Sequence, residues 1–267
     1  MIFLLDRALI RVGLRDAQKF LQSQFTNDIT QLKDNRIQVN AYCQHQGKVI
    51  AIIWVYKENN DYFLSIPSQL KDIVISKLNM FKMISEVDFQ DLSDVLLQYG
   101  FLDEVETPPN TSVYSINSNL SLLVTDKLIK KTGNKTYWEL ECIKNALPEV
   151  CLQNSEKLTP QSLNLDKKEF GVSFSKGCYP GQEVVARMHY LGKPKRRLFL
   201  FTSKFEVLIG DSLNVNESKS LKSSGEVIRS AKNDTEFYFL GVFEVGHINE
   251  KIFLNNDENK LVSIIHE

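Results

Sequence analysis

The sequence predicts an α+β fold with antiparallel sheets, followed by a region of short β-strands. Up to residue 92, segments typical of strands and helices repeat in a strand–strand–helix order with hairpins, which favours antiparallel pairing over a doubly wound sheet. From residue 196 onward, short apolar segments alternate with Gly, Asn and Asp, a pattern typical of a small β-barrel or sandwich. This change in character places a boundary near Pro194.

Hydrophobic periodicity predicts the elements of the first region. An amphipathic helix is predicted over residues 15–25, with Asp16 placed to cap it. The uninterrupted apolar residues 49–56, bracketed by Lys48 and Lys57, are typical of a buried strand. The pattern also predicts a strand-like start, strands at 36–42, 48–56, 61–66 and 87–92, and a helix over 67–83.

Weaker patterns predict the remaining elements. Residues 104–119, which include Thr107-Pro108-Pro109-Asn110, are typical of a loop. A short helix is predicted over 139–146, ended by Pro148, and a polar irregular segment over 154–165. Strands are predicted at 120–125, 135–140, 197–202, 212–215, 225–230, 237–245 and 261–265, and a helix at 182–188.

The composition is that of an ordinary globular protein. Of 267 residues, 43% are hydrophobic and 24% are charged, and no apolar run approaches the roughly 18 residues that span a bilayer. The first residues lack the pattern of a secretory signal, so a cytoplasmic protein without membrane contact is expected. The net charge of −1 by itself predicts no polyanionic partner.

The cysteines and histidines indicate neither a disulfide framework nor a bound metal. Cys43, Cys142, Cys151 and Cys178 form no Cys-x-x-Cys pair, and the four histidines form no His-x-x-x-His pair. Structural zinc sites and iron–sulfur clusters usually need closely spaced thiolates. We therefore expect no resident metal site and no disulfide framework.

The run from Lys176 to Glu183 contains the strongest candidate for chemistry. Cys178 lies between Gly177 and Gly181, just before the predicted helix, and glycines allow a tight turn there. A thiol near a helix N-terminus favours its thiolate form. The alternative is a small buried turn cysteine without reactivity, and the local sequence does not separate the two.

Other polar residues of the chain have equally simple structural explanations. Residues 176–197 hold six basic residues and one acid, which is compatible with an anionic ligand or with a solvated loop. Glu183 fits the first turn of a helix and an i,i+4 pair with Arg187. Asn27-Asp28 is typical of a cap or turn, and the lone residues His45 and His189 are typical of structural histidines.

Three segments resemble a known family. Residues 174–187, Phe-Ser-Lys-Gly-Cys-Tyr-Pro-Gly-Gln-Glu-Val-Val-Ala-Arg, are similar to the hallmark motif of the folate-binding YgfZ proteins, relatives of the glycine-cleavage T-protein (aminomethyltransferase). Residues 158–166 resemble the segment that precedes this motif in the family, and residues 20–28 resemble its N-terminal folate-domain segment. The Lys-Gly-Cys-Tyr motif is specific to the family, whereas Thr-Asn-Asp is shared more widely with T-proteins.

The resemblance implies a T-protein-like folate-binding region over residues 1–194 and a C-terminal β-barrel over 195–267. It also implies a channel for tetrahydrofolate or a one-carbon derivative, and an accessory role in the synthesis or repair of iron–sulfur clusters. The implied partners are iron–sulfur enzymes or assembly factors, including tRNA-modifying enzymes. It makes Cys178 the candidate for chemistry. The implied cofactor-binding residues are Gln24, Asn27, Asp28, Lys176, Tyr179, Gln182, Glu183 and Arg187.

One departure from the T-protein pattern bears on catalysis. T-proteins carry an acidic pair in a strand that resembles residues 47–56, and this chain has Ala51 and Ile52 there. Neither side chain transfers a proton, so we expect no aminomethyltransferase activity. Two alternatives remain open: a one-carbon transferase with a carboxylate from Asp28 or Glu183, and an RNA-binding module using the basic residues 193–197.

Overall fold

The computed structural model describes residues 2–83, 85–102, 111–130, 134–215 and 223–265. Its four α-helices are α1 (Ala17–Gln24), α2 (Lys71–Lys82), α3 (Lys135–Lys144) and α4 (Gln182–Leu191). Its strands are β1 (Ile2–Leu4), β2 (Arg7–Gly13), β3 (Gln38–Cys43), β4 (Val49–Glu58), β5 (Asp61–Pro67), β6 (Asp88–Asp91), β7 (Leu97–Leu102), β8 (Ser112–Ser115), β9 (Leu120–Thr125), β10 (Arg196–Ser203), β11 (Ser212–Val215), β12 (Gly225–Lys232), β13 (Phe237–Glu244), β14 (Ile252–Leu254) and β15 (Leu261–Ile265).

The first sheet is antiparallel and has the order β3-β4-β5-β2-β6. Residues 49–56 of β4 are buried on both faces of the sheet, which confirms the prediction of a buried strand. The predicted helix over 67–83 divides into a 3-10 turn at Ser68–Leu70 and α2. Asp16 occupies the N-cap position of α1, but its carboxylate accepts from the Glu86 amide, so the predicted side-chain cap is wrong.

The second sheet has the order β1-β7-β9-β8 and contains two departures from prediction. Residues 135–140, predicted as a strand, begin α3, where the Asn134 side chain accepts from the Thr136 and Tyr137 amides. Strand β7 went unpredicted because Gly100 interrupts its apolar pattern. A Cβ on Gly100 would lie 2.6 Å from the Trp138 ring, so glycine lets α3 pack closely on this strand.

The predicted loop over 104–119 is correct only in part. Residues 103–110, with Thr107-Pro108-Pro109-Asn110, lie outside the described residues. Strand β8 falls within the predicted loop and pairs with β9. The predicted strand over 120–125 matches β9.

The C-terminal strands close into a six-stranded barrel of order β10-β13-β12-β11-β14-β15. The rings of Phe201 and Phe239 stack in its interior with centroids 5.0 Å apart. The three-residue strand β14 was too short to be predicted. The predicted α+β class and C-terminal barrel are confirmed.

Ion pairs join the barrel to the rest of the chain. Arg197 of β10 donates to both carboxylate oxygens of Asp166, at 2.5 and 3.0 Å. Arg229 of β12 donates from Nε to Glu139 of α3 at 2.7 Å. Among the described residues, every helix is too short or too polar to cross a bilayer.

Candidate functional site

Cys178 lies at the surface, in the loop before α4. Its side chain is exposed, so the interpretation as a buried turn cysteine is wrong. The neighbouring Lys176 and Tyr179 are buried, and α4 has its N-cap at Gly181. The loop therefore presents the thiol to solvent and anchors itself through the residues around it.

Lys176 joins this loop to the last turn of α1 and to the loop that follows it. Its ammonium group donates to the backbone carbonyls of Gln22, Phe25 and Asn27 at 2.6, 2.5 and 2.8 Å. An ammonium has three donor hydrogens, and these three carbonyls use all of them. Burial lowers the pKa of Lys176 to about 8. Lys176 is thus a positioning residue in this structure, with no donor left for a ligand.

Gly181 allows the loop to approach the turn between β3 and β4. Its φ is +81°, and a Cβ built on it would lie 2.5 Å from the Gln44 carbonyl oxygen and 2.8 Å from Gly47 backbone atoms. Gly177 differs, because no heavy atom lies within 4 Å of a Cβ built on it and its φ is outside the left-handed region. Only the second of the two glycines is required by the geometry.

The predicted ligand residues on α4 lie at or near the surface of the protein. Gln182 makes long contacts of 3.5 Å to the Lys176 and Gly177 carbonyls. Glu183 and Arg187 are both exposed. Within the described residues, no ion pair closer than 4.0 Å joins Glu183 to Arg187.

Asn27 and Asp28 stabilise the loop after α1. The Asn27 amide donates to the carbonyls of Val39 and Phe170, at 3.0 and 3.3 Å. Asp28 accepts from the backbone and side chain of Thr30 and from Gln22. Although burial opposes it, these hydrogen bonds lower the pKa of Asp28.

Two predicted residues keep buried polar atoms without partners. Gln24 Oε1 and the Tyr179 hydroxyl are both shielded from solvent and lack hydrogen bonds in the described part of the chain. Burial is the main cause that raises the pKa of Tyr179, and the nearby Cys43 adds to it. The hydroxyl of Tyr179 therefore stays protonated. The two groups remain candidates for polar contacts near the thiol loop.

A separate cavity of about 320 Å³ lies where the first sheet, α3 and the barrel meet. This volume falls in the usual range for small-molecule sites, about 300–1,000 Å³. No predicted site residue lines it. The charged and aromatic residues that line it are Asp6, Arg7, Trp54, Lys135, Trp138, Glu139, Glu149 and Arg229.

Arg7 organises one wall of this cavity. It forms an ion pair with Glu149 and donates to the Ser65 hydroxyl and carbonyl at 2.7 and 2.8 Å. Its guanidinium lies 3.9 Å from the Trp54 ring centroid. Burial lowers the pKa of Arg7, and the charge of Glu149 opposes that shift. Arg7 therefore holds both the Glu149 carboxylate and the Trp54 ring in place.

Arg229 of β12 organises the part of the wall that the barrel contributes. Besides its ion pair with Glu139, it donates from Nη1 to the Leu147 carbonyl at 2.9 Å. Burial opposes its charge, but Cys142 and Glu139 raise the pKa of Arg229 above its usual value. The barrel thus contributes a permanent cation to the cavity.

Two buried polar atoms in the cavity wall have no hydrogen-bond partner among the described residues: Trp54 Nε1, a donor, and Glu149 Oε1, an acceptor. A buried polar atom without a partner costs free energy, about 1–3 kcal/mol. Because both residues line the cavity, these two groups are the candidates for hydrogen bonds to a bound ligand.

The aliphatic replacements of the T-protein acids lie in the strand that supplies Trp54. Side chains two residues apart in a strand share a face, so Ile52 lies on the face of Trp54 and Ala51 on the other. Both residues are completely buried. No carboxylate therefore enters the cavity from these two positions.

Sequence reasoning missed the cavity because its residues are far apart along the chain. The cavity is lined from β2, β4, the segment after α3 and β12, which only the tertiary fold brings together. These elements supply Arg7, Trp54, Glu149 and Arg229. One signal was available: both tryptophans of the chain, Trp54 and Trp138, line this cavity. Within the described ranges, no group of three or more His, Cys, Asp or Glu side chains is arranged to hold a metal ion.

Comparison with known proteins agrees with this architecture. The chain superposes on the glycine cleavage system aminomethyltransferase T of Bartonella henselae with a TM-score of 0.70, covering 100% of this chain and 84% of that one, at 13% sequence identity. At that identity the likeness shows the fold alone. A scan against protein-family models gave no match.

Sequence comparison identifies relatives at higher identity. An uncharacterised protein of Haemophilus influenzae is 31% identical over 240 residues, covering 87% of this chain and 85% of the relative. The tRNA-modifying protein YgfZ of Buchnera aphidicola subsp. Schizaphis graminum is 30% identical over 221 residues, covering 71% and 69% of the two chains. The chain belongs to the YgfZ family of tRNA-modifying proteins.

Proposed function

We propose that this protein binds a reduced folate and acts as an accessory factor in the synthesis or repair of iron–sulfur clusters, including those of tRNA-modifying enzymes. The observation that carries the folate part is the cavity with its two partnerless polar atoms, Trp54 Nε1 and Glu149 Oε1. Membership of a family of tRNA-modifying proteins supports the link to tRNA modification.

The residues present fit a folate. A pterin ring carries hydrogen-bond donors and acceptors along its edge, which suits Glu149 and Trp54, and its flat face suits the tryptophan rings. Lys135 supplies positive charge in the wall for the carboxylates of the glutamate tail, whereas the charge of Arg229 is balanced by Glu139. Bound tetrahydrofolate supplies one-carbon or redox chemistry, and these side chains would bind and orient it.

The proposed role of Cys178 is that of a functional thiol outside the cavity. Its exposure lets a protein or small-molecule partner reach it, and Lys176 fixes the loop that carries it. Because Ala51 and Ile52 cannot transfer protons, we propose no aminomethyl transfer. Release of ammonia from an aminomethylated lipoyl carrier by the purified protein would contradict this.

A direct binding measurement tests the folate site. We expect isothermal titration with 5-formyltetrahydrofolate, a stable reduced folate, to give saturable binding. Trp54→Phe keeps an aromatic ring but removes the N–H donor, so affinity should fall about five-fold. Tyr190→Phe removes a polar aromatic group from an exposed position outside the cavity and should bind as the wild type does. No binding, or equal losses in both variants, would overturn the assignment.

A cellular assay tests the accessory role. Cells that lack the protein should lose part of their iron–sulfur-dependent tRNA thiolation, and Cys178→Ala should fail to restore it although the protein is folded and binds folate. Full restoration by Cys178→Ala would remove the thiol from the proposal.

The alternative of a one-carbon transferase gains little from the geometry. Its carboxylate was expected from Asp28 or Glu183, and neither residue lines the cavity. Asp28 is engaged with Thr30 and Gln22, and Glu183 is exposed on α4. Turnover of 5,10-methylenetetrahydrofolate on addition of a candidate acceptor would nevertheless favour it over the accessory role.

A further inference from the structure

A second cavity, of about 190 Å³, lies where the turn after β3, the irregular segment before α4 and the start of the barrel meet. It shares no lining residue with the larger cavity. Four basic residues line it, and no Asp or Glu does: Lys48, Lys157, Lys195 and Arg196. Only the last two belong to the basic run seen in the sequence.

Each of these cations is held differently. Lys48 is half-buried and donates to the Lys157 carbonyl at 3.0 Å, which leaves two of its three donor hydrogens for other partners. Arg196 contacts Glu244 at 3.1 Å and the Ser223 carbonyl at 2.7 Å. Lys157 and Lys195 are exposed, and no ion pair within 4.0 Å joins either to a described acid.

The remaining wall is largely apolar. It consists of Leu158, Met188, Pro194 and Val242, with Thr159 and Ser162 beside them. The Ser162 hydroxyl already donates to the Thr159 carbonyl at 2.8 Å. An anion in this cavity would therefore be bound chiefly by the lysines, and an attached organic group would pack on the apolar side chains.

We propose that this cavity binds the phosphate group of a phosphate ester. Lys48, Lys157 and Lys195 line one space that no Asp or Glu lines, and a phosphate supplies the opposite charge, −1 in a diester and about −1.5 to −2 in a monoester. The apolar wall favours an ester with an organic part over free inorganic phosphate. The inference is independent of the folate proposal, because the two cavities are separate.

The phosphate has two possible sources, a mononucleotide and a strand of RNA. The exposed Lys193 is next in sequence to the cavity residue Pro194 and extends the basic surface beyond the cavity, where a strand of RNA would present further phosphates. The test therefore includes both sources.

The experiment measures binding of three probes to the full chain: adenosine 5′-monophosphate, adenosine and a fluorescent 12-nucleotide single-stranded RNA. We expect at least one of the two phosphate-bearing probes, adenosine 5′-monophosphate or the RNA, to bind. Adenosine, which has no phosphate, should bind at least ten-fold more weakly. The double variant Lys157→Ala/Lys195→Ala should lose about ten-fold in affinity, and for RNA the slope of log K against log salt should fall by about 0.7 per lost phosphate contact.

Lys19→Ala, which removes an exposed lysine that does not line this cavity, is the matched control and should bind as the wild type does. Binding of the mononucleotide assigns a small phosphate ester, and binding of RNA alone assigns a strand; both support the proposal. It is overturned if neither phosphate probe binds, if adenosine binds equally well, or if the double variant retains full affinity.

Discussion

Replacing Gly181 by alanine tests the geometry of the thiol loop. A methyl group at this position would lie 2.5 Å from the Gln44 carbonyl oxygen and 2.8 Å from Gly47 backbone atoms. These neighbours are backbone, so neither can move aside by a change of rotamer. The substitution also places alanine at φ +81°, where the left-handed conformation costs about 1–2 kcal/mol.

The expected loss follows from these two effects. Overpacking in a well-packed region costs about 1–3 kcal/mol. Added to the conformational cost, it predicts that Gly181→Ala lowers the free energy of unfolding by roughly 2–5 kcal/mol. If the chain instead relieves the clash by moving the loop, the loss is smaller but the environment of Cys178 changes.

Gly177→Ala, at the residue immediately before Cys178, is the matched control. No heavy atom lies within 4 Å of the added Cβ, and Gly177 is outside the left-handed region. Because alanine restricts the unfolded chain, this variant should be neutral or more stable by up to about 1 kcal/mol.

Urea unfolding followed by far-UV circular dichroism measures both variants, and the rate of Cys178 modification by a thiol reagent reports on the loop. Gly181→Ala should lose stability or change this rate, and Gly177→Ala should do neither. Equal effects of the two substitutions would refute the claim that close packing on the β3–β4 turn fixes the loop.

Three further predictions follow from charges and exposure. Burial lowers the pKa of Lys176 to about 8 in the folded protein, below its ordinary value near 10.5, so the unfolded chain holds more protons between these pH values. The difference in unfolding free energy between the wild type and Lys176→Met should therefore rise by up to about 3 kcal/mol from pH 8 to pH 10.5. A difference that does not change with pH over this range would contradict the prediction. Arg197→Met leaves the buried Asp166 carboxylate unpaired and should cost about 3–5 kcal/mol in urea unfolding, and a loss below 1 kcal/mol would show the pair to be dispensable. Cys178→Ala changes an exposed side chain and should alter stability by less than about 0.5 kcal/mol, which thermal unfolding can check.

Long, strongly patterned elements were predictable and short or interrupted ones were not. Residues 49–56 form a buried strand because an unbroken apolar run has few alternatives. Residues 135–140 looked like a strand because Thr, Tyr and Trp favour extended structure, yet the Asn134 cap and packing on Gly100 make them helical. Tertiary contacts thus decided the cases in which local preference was weak.

Local sequence determined the helix after the thiol loop, the α+β class and the succession of short C-terminal strands, because turn residues and hydrophobic periodicity act over a few neighbours. The tertiary structure decided what those pieces enclose. It makes Lys176 a positioning residue and not a ligand residue, because its ammonium group binds three backbone carbonyls from the end of α1 and the loop after it, about 150 positions earlier in the chain. It also formed both cavities from residues distant in the chain, whose shared surroundings exist only after strands, α3 and the barrel have packed together.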